Sequence, residues 1–86
     1  AALADLLSDP SREVKEAALQ ALADKEGANV TQLIRRGLND RDPEFRIEVL
    51  EVLADRGDLD SLRKAKSDAN EDVRERAANL LESATQ

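Results

Sequence analysis

The sequence predicts an all-α chain built as a solenoid of three stacked helix pairs, and three observations carry that prediction. One motif recurs three times along the 86 residues. Apolar residues return at helical spacing after each occurrence. A residue suited to capping a helix stands at the same place ahead of each apolar pattern.

The motif reads SDPSREVKEAALQALAD from Ser8, NDRDPEFRIEVLEVLAD from Asn39 and SDANEDVRERAANLLES from Ser67, at offsets of 31 and 28 residues. Each copy holds an Asp (Asp9, Asp40, Asp68) and an apolar-basic pair (Val14-Lys15, Phe45-Arg46, Val73-Arg74). Behind the pair come the columns Ala18/Val49/Ala77, Ala21/Val52/Leu80 and Leu22/Leu53/Leu81. Steps of four, three and one put these on one face of a helix. Ala18, Val49 and Ala77 are therefore expected between units. Ahead of the motif Leu3, Ile34 and Leu62 align, and so do Leu7 and Leu38, whereas Lys66 breaks that second column.

The helices follow in order as 1–8, 11–25, 30–39, 43–56, 59–67 and 71–84. Ser11, Asp42 and Asn70 open the second helix of each pair, since their side-chain oxygens can take a free amide of the first turn. Pro43 fits the first helical position, where a missing N–H costs nothing. Glu13, Glu44, Glu71 and Asp72 set negative charge at the positive end of the helix dipole. Gly27 and Gly57 follow apolar patterns and suit left-handed C-caps. The connection between the first and second units is three residues longer, through Lys25-Glu26-Gly27-Ala28-Asn29. A helix pair this short cannot bury its own apolar face, so the pairs must stack. One domain over 1–86 results, with repeats at 1–26, 27–57 and 58–86.

Composition excludes several functions. With no Cys there are no disulfides or thiolate metal sites, and with no His the commonest general base and metal ligand are missing. Neither a metal nor a cofactor is expected. A net charge of −6 and a pI near 4.6 oppose nucleic acid, whose phosphates require a basic footprint. No apolar run approaches the roughly 20 residues that span a bilayer. The carboxylates lie on amphipathic helices and read as solvated faces, not as an acid–base pair. The chain opens on Ala1, which suggests processing or excision from something longer.

The unit SDPSREVKEAALQALAD, with its Asp, its apolar-basic pair and its Ala/Leu columns, resembles the HEAT repeat. The short period is most similar to the variety described in phycobilisome lyase subunits, and the resemblance covers nearly the whole chain. A tetratricopeptide pattern fits worse, because its 34-residue period and aromatic positions are missing. The resemblance implies a right-handed α-α superhelix of the HEAT/armadillo kind. It also implies a ladder between adjacent units, with Asp9, Asp40, Asp68, Lys15, Arg46 and Arg74 in structural roles. Two residues depart from the pattern. Lys15 lacks the fork of Arg, which weakens the ladder between the first two units, and Lys66 suggests a frayed or solvent-facing terminal pair. HEAT-fold hydroxylases hold iron through His-Glu motifs, and HEAT-fold DNA glycosylases use a basic, aromatic cleft; this sequence has the residues for neither.

Charge is unevenly spread. The second helices carry −1 over 11–24, −4 over 42–55 and −2 over 70–83, against +2 over 31–41 and +1 over 59–68. Second helices usually line the concave surface of HEAT arrays, so the resemblance implies an acidic inner face and a basic outer stripe. Two exposed columns are expected on the inner face, Glu16/Ile47/Glu75 and Gln20/Glu51/Asn79, with Ile47 as an apolar anchor between two carboxylates. Arg35, Arg36, Arg63 and Lys64 form a weaker candidate stripe for an acidic partner or phosphate. The expected function is a non-catalytic scaffold or adaptor that binds a basic or amphipathic protein segment. The alternatives are a structural segment of a larger repeat protein and a regulatory or chromophore-lyase-type subunit. A cytoplasmic location and a monomeric state complete the expectation.

Overall fold

The repeated turns decide the architecture. A computed structural model describes residues 3–85, and six α-helices run between those turns. They are α1 (Leu3–Leu6), α2 (Arg12–Ala23), α3 (Ala28–Arg35), α4 (Pro43–Asp55), α5 (Leu59–Ala65) and α6 (Glu71–Ala84). A 3-10 turn over Arg36–Asn39 continues α3. No strand occurs among the described residues. The start of the expected first helix, the side chain of Leu3 and the C-terminal Gln86 lie outside the described residues.

All three expected N-caps are formed. Ser11 accepts from the Val14 amide at 3.4 Å, Asp42 from Glu44 at 3.0 Å, and Asn70 from Asp72 and Val73 at 2.8 and 3.2 Å. Two residues earlier, each repeated Asp folds its own turn. Asp9, Asp40 and Asp68 accept from the amides of Ser11, Asp42 and Asn70, each at 2.8 Å. All three Asp residues stand outside the helices.

The expected ladder runs from the basic residue of one unit to the Asp of the next. Lys15 donates to Asp40 Oδ2 at 2.8 Å, and its ammonium lies 4.9 Å from the centre of the Phe45 ring. Arg46 donates from Nε and Nη2 to the two oxygens of Asp68, and from Nη1 to the Asp40 carbonyl at 2.7 Å. Arg74 repeats that last bond to the Asp68 carbonyl at 2.7 Å. Burial alone would raise the Asp40 and Asp68 pKa values. Bonds from Lys15 and Asp42 to Asp40, and from Asn70 and Arg46 to Asp68, more than offset it and hold both carboxyls below their ordinary value.

Gly57 makes the C-cap expected of it. It has φ +78°, its amide donates to the Ala54 carbonyl at 3.0 Å, and the Asp58 amide donates to Leu53 at 2.9 Å. This pair of bonds is the Schellman arrangement. Gly27 corrects the expectation. α2 ends at Ala23 with Asp24 as its cap, and Gly27, at φ +114°, instead precedes the first turn of α3. The longer connection between the units occupies the residues between.

The core forms two clusters that meet at α4. Leu7, Ala18, Leu19, Leu22 and Ile34 pack with Phe45, Val49 and Leu53 in the first, and Leu50, Leu62, Val73 and Ala77 form the second. Ala18, Val49 and Ala77 are all buried, as their column required. The 3-10 turn approaches α4 so closely that a Cβ on Gly37 would stand 2.6 Å from Val49 Cγ2 and 3.3 Å from Phe45 Cε2. Lys66 is exposed at the C-cap of α5, yet the terminal pair is well packed and not frayed, because Leu62, Val73 and Ala77 are fully covered.

Candidate interaction face

α2 and α4 diverge on the side away from the core, and a cleft of about 730 Å³ lies between them. Its floor holds buried Leu19 with half-buried Ala23 and Val52. Its walls carry Glu16, Gln20 and Asp24 from α2 and its end, and Glu48, Glu51 and Asp55 from α4. Arg56 closes one end but points elsewhere. Its guanidinium donates to Thr31 Oγ1 at 2.8 Å and to the carbonyls of Lys25, Gly27 and Ala23 at 2.7, 3.1 and 3.4 Å. It thereby fastens the end of α4 to the connection between α2 and α3.

At the opposite end, Arg12 stands among three carboxylates, Asp42 at 3.1 Å, Glu16 at 3.4 Å and Glu44 at 3.5 Å. Burial opposes its charge, but the attraction of Asp42, Glu16 and Glu44 prevails and raises its pKa. Arg76 of α6 is paired with Glu51. Glu48 is left facing Glu16. Burial, the hydrogen bond to Glu16 and repulsion from Glu16 and Glu51 push its carboxyl up to about 7, against only partial relief from Arg12.

The expected inner-face columns are brought together in part. Glu16, Gln20 and Glu51 line the cleft, whereas Ile47, Glu75 and Asn79 do not. Glu75 and Asn79 are exposed on α6. Ile47 requires a correction: it is half-buried and packs against the second core cluster, so it does not stand exposed between carboxylates. No large hydrophobic side chain is exposed among the described residues. Glu48 was missed because its partner is not a columnar equivalent: Glu16 aligns with Ile47, one position before it. The signal for it is diagonal: Glu16 of the first unit faces the residue after its columnar equivalent in the second.

The basic stripe is divided. Arg35 donates to buried Asp58 at 2.6 Å, and Asp58 also accepts from the Ser61 hydroxyl at 2.6 Å. Those bonds from Arg35 and Ser61 overcome the effect of burial and lower the Asp58 pKa. Arg63 pairs with Asp60 on its own helix at 2.8 Å. Arg36 and Lys64 are exposed, with no ion pair among the described residues. No group of His, Cys, Asp or Glu suited to a metal ion occurs among the described residues. No described helix is long and apolar enough to cross a membrane.

No curated protein and no solved structure matches the chain. The family model for HEAT repeats matches residues 1–82, which takes in the first two units, all but the last four residues of the third, every rung of the ladder and both walls of the cleft. This chain belongs to the HEAT-repeat family.

Proposed function

We propose that the chain is a non-catalytic interaction module that binds a basic or amphipathic protein segment along α2, α4 and α6. HEAT repeats generally mediate protein–protein interaction as scaffolds. The observation that supports this choice of face is the cleft between α2 and α4. Five carboxylates line it, and the arginine at its end is committed to backbone carbonyls. A surface whose negative charge its own cations leave unbalanced favours a positive partner and steers its approach.

The test is fluorescence anisotropy with a labelled amphipathic helical peptide that carries lysines on its polar face. Binding is expected to weaken as salt rises, because rim charges are screened, and to weaken further in Glu16→Gln and Glu75→Gln. If those variants bind as wild type while Arg36→Ala with Lys64→Ala abolishes binding, the basic stripe is the site and this reading fails. Ile47→Ala is read as a packing change, since Ile47 supports the second core cluster.

A further inference from the structure

We propose that the cleft between α2 and α4 receives a single arginine or lysine side chain of the bound segment, its stem along Leu19, Ala23 and Val52 and its cation between Glu16 and Glu48. The inference rests on the reading of this face given above and names how one partner residue is captured there. Long basic side chains lay their methylenes on apolar surface and hold the charge at its edge. The cleft offers that combination in the right order, with an apolar floor and carboxylates on both walls.

Every charge facing Glu48 is accounted for. Glu16 and Arg12 face it from α2 and Glu51 from its own helix, while Arg76 of α6 is turned onto Glu51. Arg12 is shared among Asp42, Glu16 and Glu44. No cation of the chain is bonded to Glu48 among the described residues. Near neutrality a proton on Glu48 relieves the repulsion between the walls, and its pKa of about 7 reports this. An incoming guanidinium or ammonium supplies the same relief and displaces that proton into solvent. Capture is therefore coupled to pH around neutrality, with tighter binding on the alkaline side.

The experiment uses a labelled peptide of alternating arginine and alanine with the intact chain at constant ionic strength. Affinity should rise about thirtyfold between pH 5.5 and 8.5, as expected when binding releases one proton from a group that titrates near 7 in the free chain and in the ordinary carboxylate range when bound. Glu48→Gln should flatten that rise, whereas Glu71→Gln, an exposed acid at the start of α6, should keep it. In wild type, carbon NMR of the Glu48 carboxyl should show its midpoint falling to the ordinary carboxylate range when peptide saturates the protein. Binding that persists with an unmoved Glu48 midpoint, or a rise that survives Glu48→Gln, overturns the inference and leaves the acidic face standing. A peptide that does not bind wild type at any of these pH values overturns both.

Discussion

Arg46 holds both carboxylate oxygens of Asp68, through Nη2 at 3.0 Å and Nε at 3.1 Å, and so joins the second unit to the third. Asp68 at the same time accepts from the Asn70 amide that starts α6. One side chain thus shapes its own turn and anchors the neighbouring unit, in a setting where both partners are mostly covered. Asp9 makes only the first of these bonds among the described residues. Asp68→Ala should therefore destabilise by about 2 kcal/mol, because it leaves a largely buried guanidinium without its partner. Asp9→Ala should cost less than about 1 kcal/mol, the worth of one turn bond. Urea unfolding of the two variants measures the difference, and equal losses would show that the ladder carries no weight.

The rung between the first two units is the weaker one. Lys15 reaches Asp40 with a single bond and gives none to the Asp9 carbonyl, the bond that Arg46 and Arg74 each make within their own units. Lys15→Arg restores the fork that fits a carboxylate and keeps a cation beside the Phe45 ring. A gain of roughly 0.5–1 kcal/mol is expected. A loss of stability would mean that the larger head does not fit against Phe45.

The helices and their N-caps were legible in the sequence because each repeats as a column, and the ladder was implied by the resemblance of those columns to the HEAT repeat. Asp9, Asp40 and Asp68 occupy one turn position, and Ser11, Asp42 and Asn70 another, so three copies vouch for each role. Contacts peculiar to one place were not legible. Arg56 binds the connection that is three residues longer than its counterpart, and that geometry exists once. Arg35 finds Asp58 across 23 residues, in a pairing that its columnar partner Arg63 does not copy. Ile47 aligns with two carboxylates, half-buried Glu16 and exposed Glu75, but its packing depends on the helix stacked beside it, and α4 has α2 on one side and α6 on the other.

Gly37 has no equivalent among the aligned units, where Leu6 and Ala65 stand, and the approach of the 3-10 turn to α4 explains it. A methyl group there would overlap Val49 Cγ2 at 2.6 Å. Gly37→Ala should destabilise by about 1–3 kcal/mol through overpacking, and Val49→Ala by about 2 kcal/mol through the space it leaves. The two changes complement each other in volume. The double variant should be more stable than the sum of the single losses predicts, by about 1 kcal/mol. Additive losses in a thermal or urea double-mutant cycle would place the strain elsewhere than in this contact.

Stability should pass through a maximum near pH 5, because two sets of carboxyls pull in opposite directions. Asp40, Asp58 and Asp68 titrate below their ordinary value in the folded chain. Their contribution is present above the unfolded aspartate value of about 3.9 and is lost as pH falls through the folded values. Glu48 is raised to about 7. Its contribution is complete below the unfolded glutamate value of about 4.3 and is lost as pH climbs through about 7. Glu48 remains partly open to solvent, which reduces the alkaline limb to a few degrees in melting temperature between pH 5 and pH 8. Circular dichroism melts across this range should show that decline in wild type. Glu48→Gln should remove the alkaline limb and leave the acid one, while Asp68→Asn should reduce the acid limb and leave the alkaline one. A melting temperature that rises steadily from pH 5 to pH 8 would show that Glu48 ionises in the fold as it does in the unfolded chain.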